Sequence, residues 1–133
     1  METKAVFDTN IWISYFLGGK ITELTEMVLF HEVSLYRAKE LTNELKIVMS
    51  RKKFSKYLTL PMERYLSMYE NLTRLIEIEL SFDGCCDPKD NFLFDIAYQS
   101  SSDYLVSGDK DILETPIIPP LQVVTLSEFK KRI

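Results

Sequence analysis

Residues 4–12 read Lys-Ala-Val-Phe-Asp-Thr-Asn-Ile-Trp, and residues 104–109 read Tyr-Leu-Val-Ser-Gly-Asp. In the first stretch, Ala5-Val6-Phe7 is a short apolar run that ends in a carboxylate, the pattern of a buried strand with Asp8 at its C-terminal tip. Thr9 and Asn10 are suited to cap a helix through Ile11, Trp12, Tyr15 and Phe16, which Gly18-Gly19 then ends. In the second stretch, Tyr104-Leu105-Val106 is another buried strand, followed by Asp109 and, two residues on, Asp111. Open parallel sheets hold their ligands beyond the carboxyl ends of the strands. One acid in such a place is ordinarily a helix cap. Two strands that both lead into an acid make a shared site the better reading, because adjacent parallel strands set those acids side by side.

The rest of the chain supports this frame. Residues 20–30 repeat apolar positions at helical spacing, and Val33 to Tyr36 form a second strand. Residues 39–50 form a third helix. Residues 51–57 are basic with interleaved aromatics, and Pro61 opens a helix to about Thr73, a favourable place for proline. Ile76, Ile78 and Leu80 alternate with Glu77 and Glu79, the pattern of a half-exposed strand. Asp83 to Pro88 form a loop and residues 89–101 a fifth helix. Val123-Val124 is a last strand and residues 127–132 a last helix. Strands alternating with helices predict an α/β domain with a mainly parallel sheet flanked by helices. No repeat or linker divides residues 1–133, so one domain is expected.

Composition narrows the functional classes. The 133 residues carry 16 basic and 20 acidic side chains, a net charge of −4. That balance argues against coating nucleic acid by bulk charge, but not against meeting it through a metal ion. His31 is the single histidine, so chemistry that needs two is excluded. It follows an apolar-periodic helix, where a cation is welcome, and a structural role is expected of it. Cys85 and Cys86 are adjacent, neither a disulfide framework nor a four-ligand zinc site. With no secretory signal and no apolar run of about 20 residues, a reduced, cytoplasmic protein without a membrane span is expected.

Two further acids stand out on the helices. With Leu41 at 0° and about 100° per residue, Leu45 falls near 40° and Val48 near 340°. Glu44 falls near 300°, inside that apolar arc, where an unpartnered carboxylate is costly and calls for a metal or a base. Glu40 is the competitor at the arc's margin. Asp90 opens the fifth helix and shares a side with Leu93 and Ala97, and its helix N-terminal position also suits the macrodipole. Asp95 is placed toward solvent or the rim. Converging acids repel and raise one another's pKa unless cations intervene. Oxygen-only ligands select Mg²⁺ or Mn²⁺, ions suited to phosphodiester hydrolysis.

Together, Asp8-Thr9-Asn10, Glu44-Leu45, Asp87-Pro88-Lys89-Asp90-Asn91 with Ala97, and Ser107-Gly108-Asp109-Lys110-Asp111 resemble a PIN domain. The resemblance covers essentially the whole chain, in order, and is best to the VapC-like toxins of prokaryotic toxin–antitoxin systems. It implies a Rossmann-like sheet and a Mg²⁺- or Mn²⁺-dependent endoribonuclease, with Asp8, Glu44, Asp90 and Asp109 matching the four acidic metal-site positions. Asp111 matches an additional acid of many members, Thr9 the hydroxyl beside the first aspartate, and Asn91 the residue after the third acid. Lys110 lies between two site acids and is a candidate phosphate contact. The resemblance further implies an RNA substrate, a cognate antitoxin that neutralises the enzyme, and a homodimer.

Arg51, Lys52, Lys53 and Lys56, with Phe54 and Tyr57 between them, have the makings of a strand-guiding patch, although a solvated basic helix end is the commoner meaning. Trp12, Tyr15 and Phe16 are spaced for the core or a dimer face. Two other functions fit parts of the pattern. A non-catalytic interaction module would keep the fold and a bound ion. A receiver-type phosphoacceptor domain would need paired acids after the first strand, where this chain has Asp-Thr-Asn.

Overall fold

The computed structural model describes residues 2–79 and 88–133. Its sheet is built outward from β1 (Thr3–Phe7), the strand that the apolar run Ala5-Val6-Phe7 foretells. β2 (Val33–Arg37) lies on one side of it and β4 (Tyr104–Val106) on the other. β3 (Thr73–Leu75) and β5 (Gln122–Val124) form the edges. The order is β3-β2-β1-β4-β5, and every pairing is parallel. This is the predicted α/β architecture, with helices in the crossovers that parallel strands require.

Between β1 and β2 run α1 (Thr9–Leu17) and α2 (Ile21–Phe30). Gly18 ends α1, and Gly19 makes the turn with φ +63°, a backbone region that side chains resist. Between β2 and β3 run α3 (Lys39–Met49), α4 (Lys52–Ser55) and α5 (Met62–Leu72). A 3₁₀ turn at Pro88–Asp90 leads into α6 (Asn91–Gln99), which packs across β1, β2 and β4. α7 (Lys110–Leu113) precedes β5, and α8 (Leu126–Arg132) packs on β4. Among the described residues, no helix is long and apolar enough to cross a membrane.

The aromatics of α1 belong to the core. Trp12 is fully buried and meets Tyr69 edge to face, with ring centroids 4.9 Å apart. Phe7 stacks on Tyr15 and receives Phe129 of α8 edge-on at 5.6 Å. Offset and edge-to-face geometries suit the ring quadrupoles.

The third strand departs from expectation. Alternation pointed to residues 76–80, yet β3 is Thr73–Leu75, and Ile76 to Glu79 lie outside any strand. The chain pairs as soon as α5 ends, with Thr73 opposite Leu35 and Leu75 opposite Arg37. Arg37 fastens this edge, donating to the Thr73 carbonyl at 3.0 Å and to its hydroxyl at 2.7 Å. Leu80, Cys85, Cys86 and the predicted loop as far as Asp87 lie outside the described residues.

Candidate functional site

Phe7 and Val106 are opposite each other on adjacent parallel strands, so the residues that follow them become neighbours. The Asp8 amide donates to the Val106 carbonyl at 2.9 Å. The Ser107 hydroxyl donates to Asp8 Oδ2 at 2.8 Å and accepts the Asp109 amide at 3.0 Å. Ser107 is fully enclosed and Asp8 nearly so. One serine thus joins the two strand-end acids that the sequence placed side by side.

Glu44 reaches the same place from a helix. α1 packs on α3, and the hydroxyl of Thr9, the first residue of α1, donates to Glu44 Oε2 at 2.7 Å. The half-buried Glu44 is therefore pinned to the residue beside Asp8. Glu40, one turn earlier on α3, is also half-buried, but its Oε1 has no hydrogen-bond partner. Of the two glutamates, Glu44 is the one that accepts the Thr9 hydroxyl.

The electrostatics follow from burial. Removal of Asp8 from water raises its carboxyl pKa above the ordinary 3.8, and the Glu44 and Asp109 carboxylates push it further up. The Ser107 hydroxyl and the Thr9 backbone amide oppose this by hydrogen bonding to the charged form. Asp8 also stands as the N-cap of α1, where a helix favours negative charge.

The remaining candidates are placed less centrally. Asp109 Oδ1 accepts the Asp111 amide at 2.9 Å and caps α7, so the cap and the strand-end acid are one residue. Asp111 itself is exposed. Lys110 is exposed and faces Glu114 at 3.8 Å, away from a bridging role between its neighbouring acids. Asp90 ends the 3₁₀ turn at the N-cap position of α6, half-buried, with Asn91 next to it. α6 leads back into the start of β4, so its N-terminus faces the C-terminal ends of the parallel strands. Asp95 corrects the sequence reading: it is 7% exposed, not at the rim. The helical wheel assumes one wet face, whereas α6 is covered by the sheet and by α3.

Asp8, Thr9, Glu44, Ser107 and Asp109 are thus linked by hydrogen bonds and charge. Their donor chemistry, carboxylate and hydroxyl oxygen throughout, suits a hard divalent cation. Among the described residues, no group of three or more His, Cys, Asp or Glu side chains is gathered closely enough to hold one as it stands. Sequence reasoning gave Ser107 no role of its own. Its signal was present, as a small hydroxyl directly after the second buried strand.

Comparison with known proteins bears on the fold and the family. An uncharacterized protein of Methanocaldococcus jannaschii is 24% identical over 117 residues, covering 85% of this chain and 75% of the relative. A crystal structure of VapBC2 from Rickettsia felis, bound to a DNA fragment from its promoter, contains a chain of the same fold. That match has a TM-score of 0.57 and 13% identity, and covers 92% of this chain and 98% of the other. A family model described as PIN domain matches residues 4–111, which span β1 to α7 and every acid of the site. The chain belongs to the PIN domain family.

Proposed function

We propose that this protein is a divalent-metal-dependent endoribonuclease, the toxin of a toxin–antitoxin pair. PIN domains are in general nucleases and typically use divalent metals. The observation that carries the reading is Asp8: a buried carboxylate, flanked by Glu44 and Asp109, at the meeting point of two parallel strand ends. Burial of an acid among acids is stabilised by a cation, and little else in such a place rewards it. Asp8, Glu44, Asp90 and Asp109 would hold Mg²⁺ or Mn²⁺. When bound, such an ion activates water and stabilises charge on phosphate oxygens.

The chain's own residues supply the positioning. Ser107 fixes the rotamer of Asp8, and Thr9 fixes that of Glu44, both through hydroxyl donors. Asp109 is held through its backbone to the same serine and through its carboxylate to the start of α7. These contacts remove rotational freedom from three acids before substrate arrives. An antitoxin partner is supported by the likeness to a chain from a VapBC complex. The membership in the PIN family, and the place of Glu44 on a helix, speak against a receiver-type phosphoacceptor.

The test is cleavage of RNA by purified protein with Mn²⁺, beside Asp8→Asn and Asp90→Asn variants. Loss of cleavage in both variants is expected. Equal cleavage by all three proteins would overturn the assignment. Growth arrest on expression that persists in Asp8→Asn would instead favour a non-catalytic interaction module.

A further inference from the structure

The turn that follows α3 gathers charge of one sign. Residues 45–62 carry five cations, Lys46, Arg51, Lys52, Lys53 and Lys56, and no acid. Of the 16 basic and 20 acidic side chains, the rest of the chain therefore holds 11 and 20, a net charge of −9. Arg51, Lys52, Lys53 and Lys56 are all exposed, and among the described residues none of them forms an ion pair. A helix C-terminus welcomes cations only within its last turn. That accounts for Lys46 of α3 and not for the four that lie beyond Met49.

The segment is held in one shape. The Arg51 carbonyl accepts the amides of Phe54 at 3.0 Å and Ser55 at 2.9 Å, and the Arg51 amide donates to the Val48 carbonyl at 3.1 Å. Phe54 packs against the core, and the Tyr65 hydroxyl accepts the amides of Thr59 and Leu60. Two aromatic rings are interleaved with the cations. Lys53 Nζ is 4.9 Å from the Phe54 ring centroid, and Lys56 Nζ is 5.0 Å from that of Tyr57. Tyr57 is 60% exposed and lines, with Leu60 and Tyr65, an open groove of about 430 Å³, within the range of small-ligand pockets. The segment also begins close to the acids: from Glu44 to Met49, where α3 ends, is about 8 Å along the helix axis.

We propose that Arg51, Lys52, Lys53 and Lys56, with Tyr57, form the surface that holds single-stranded RNA for the acidic site. The proposal rests on the nuclease reading above. The four cations bind backbone phosphates and release their counterions, which adds affinity without reading sequence. Tyr57 offers a face on which one base stacks, and a base can do so only when it is unpaired. The remainder of the chain repels a polyanion, and this block of positive charge offsets that repulsion next to the helix that carries Glu44. An acidic protein segment would pair with the cations but has no flat group for the exposed ring.

Fluorescence anisotropy of the whole protein with a labelled single-stranded RNA of about 12 nucleotides tests this. Divalent metal is left out so that the probe stays intact, and saturable binding is expected. Arg51→Gln/Lys52→Gln/Lys53→Gln/Lys56→Gln, changed at four exposed positions, should keep its Tm and bind at least about tenfold more weakly. Its plot of log affinity against log salt should be shallower by about 2–3 units of slope. Tyr57→Ala should weaken binding several-fold and leave that slope as it is. With Mn²⁺, the quadruple variant should show a KM raised about tenfold for the same RNA, with a much smaller change in kcat. Equal affinity and equal salt slope in wild type and quadruple variant would overturn the proposal. So would polyglutamate that binds as tightly as RNA of equal charge, which would assign the surface to an acidic protein. The nuclease reading fails separately. Patch-dependent binding by a wild type that does not cleave with Mn²⁺ would support the surface and refute the nuclease, whereas cleavage with an unaltered KM in the quadruple variant would do the reverse.

Discussion

Ser107 Oγ lies 2.8 Å from Asp8 Oδ2, and the two residues are 99 positions apart in the chain. The hydroxyl donates to the carboxylate while accepting the Asp109 amide. Ser107→Ala therefore takes one of two donors from Asp8 and the acceptor from the Asp109 N–H. A stability loss of about 1–3 kcal/mol is expected. Without that donor the Asp8 pKa rises further, so the acidic limb of the pH–cleavage profile should move to higher pH. Urea denaturation and a pH series of RNA cleavage measure the two effects. An unmoved acidic limb would show that Ser107 does not hold Asp8 in its charged form.

Asp8 is held at a cost to the fold. Its folded pKa lies above the unfolded value near 3.8, so the folded state binds the proton more tightly. The favourable contribution is complete below the unfolded pKa and is lost as pH rises through the folded pKa. At pH 7 the charged carboxylate destabilises the protein. Asp8→Asn should therefore be more stable than the wild type there. The gain should shrink as the pH falls toward 4. Thermal melts across pH, without added divalent metal, check the sign; an asparagine variant less stable at pH 7 would contradict it.

Metal should reverse that order. A cation bound only by the folded protein stabilises it by mass action. Mn²⁺ is expected to raise the Tm of the wild type and to leave Asp8→Asn much less affected. Equal shifts in both proteins would place the cation elsewhere.

Glu44 and Glu40 are separated by one experiment. Glu44→Gln and Thr9→Val both disturb the 2.7 Å contact and should lower kcat by tenfold or more, while Thr9→Ser, which keeps the hydroxyl, retains most activity. Glu40→Gln should retain activity, since Glu40 is not tied to the residue beside Asp8. Steady-state cleavage kinetics of the four variants decide between the two acids.

Phe129 anchors the last helix to the sheet, touching Phe7 at 5.6 Å and Tyr104 at 5.5 Å between ring centroids. Its side chain is fully buried. Phe129→Ala should cost about 3–5 kcal/mol, through lost burial and the cavity left behind. Chemical denaturation measures it, and a loss below 1 kcal/mol would mean that α8 is not part of the cooperative core.

The central strands were legible because burial on both faces demands continuous apolar runs, as in Ala5-Val6-Phe7 and Tyr104-Leu105-Val106. The closeness of Asp8 and Asp109 was legible because each follows one of these runs and neighbouring parallel strands end side by side. β3 was not. As a three-residue edge strand it carries little pattern of its own, and Arg37, a residue of the neighbouring strand, fixes where it pairs. Asp95 was misplaced because the helical wheel knows one partner surface and α6 has more than one. Ser107 was passed over because a serine near a turn is ordinary in sequence. Its role exists only once β1 and β4 are adjacent.

The strand order carries a consequence for the chain as it is made. β1 is synthesised first but is central, and one of its two neighbours, β4, begins only at Tyr104. Until the ribosome has delivered that segment, β1 has one open edge, and Asp8 lacks both the serine that holds it and the acid of Asp109 beside it. A nascent or truncated chain ending before residue 104 thus lacks the Asp8–Ser107–Asp109 cluster. The assembly of that cluster is deferred to the last quarter of translation by topology alone, and the contact that completes it spans 99 positions.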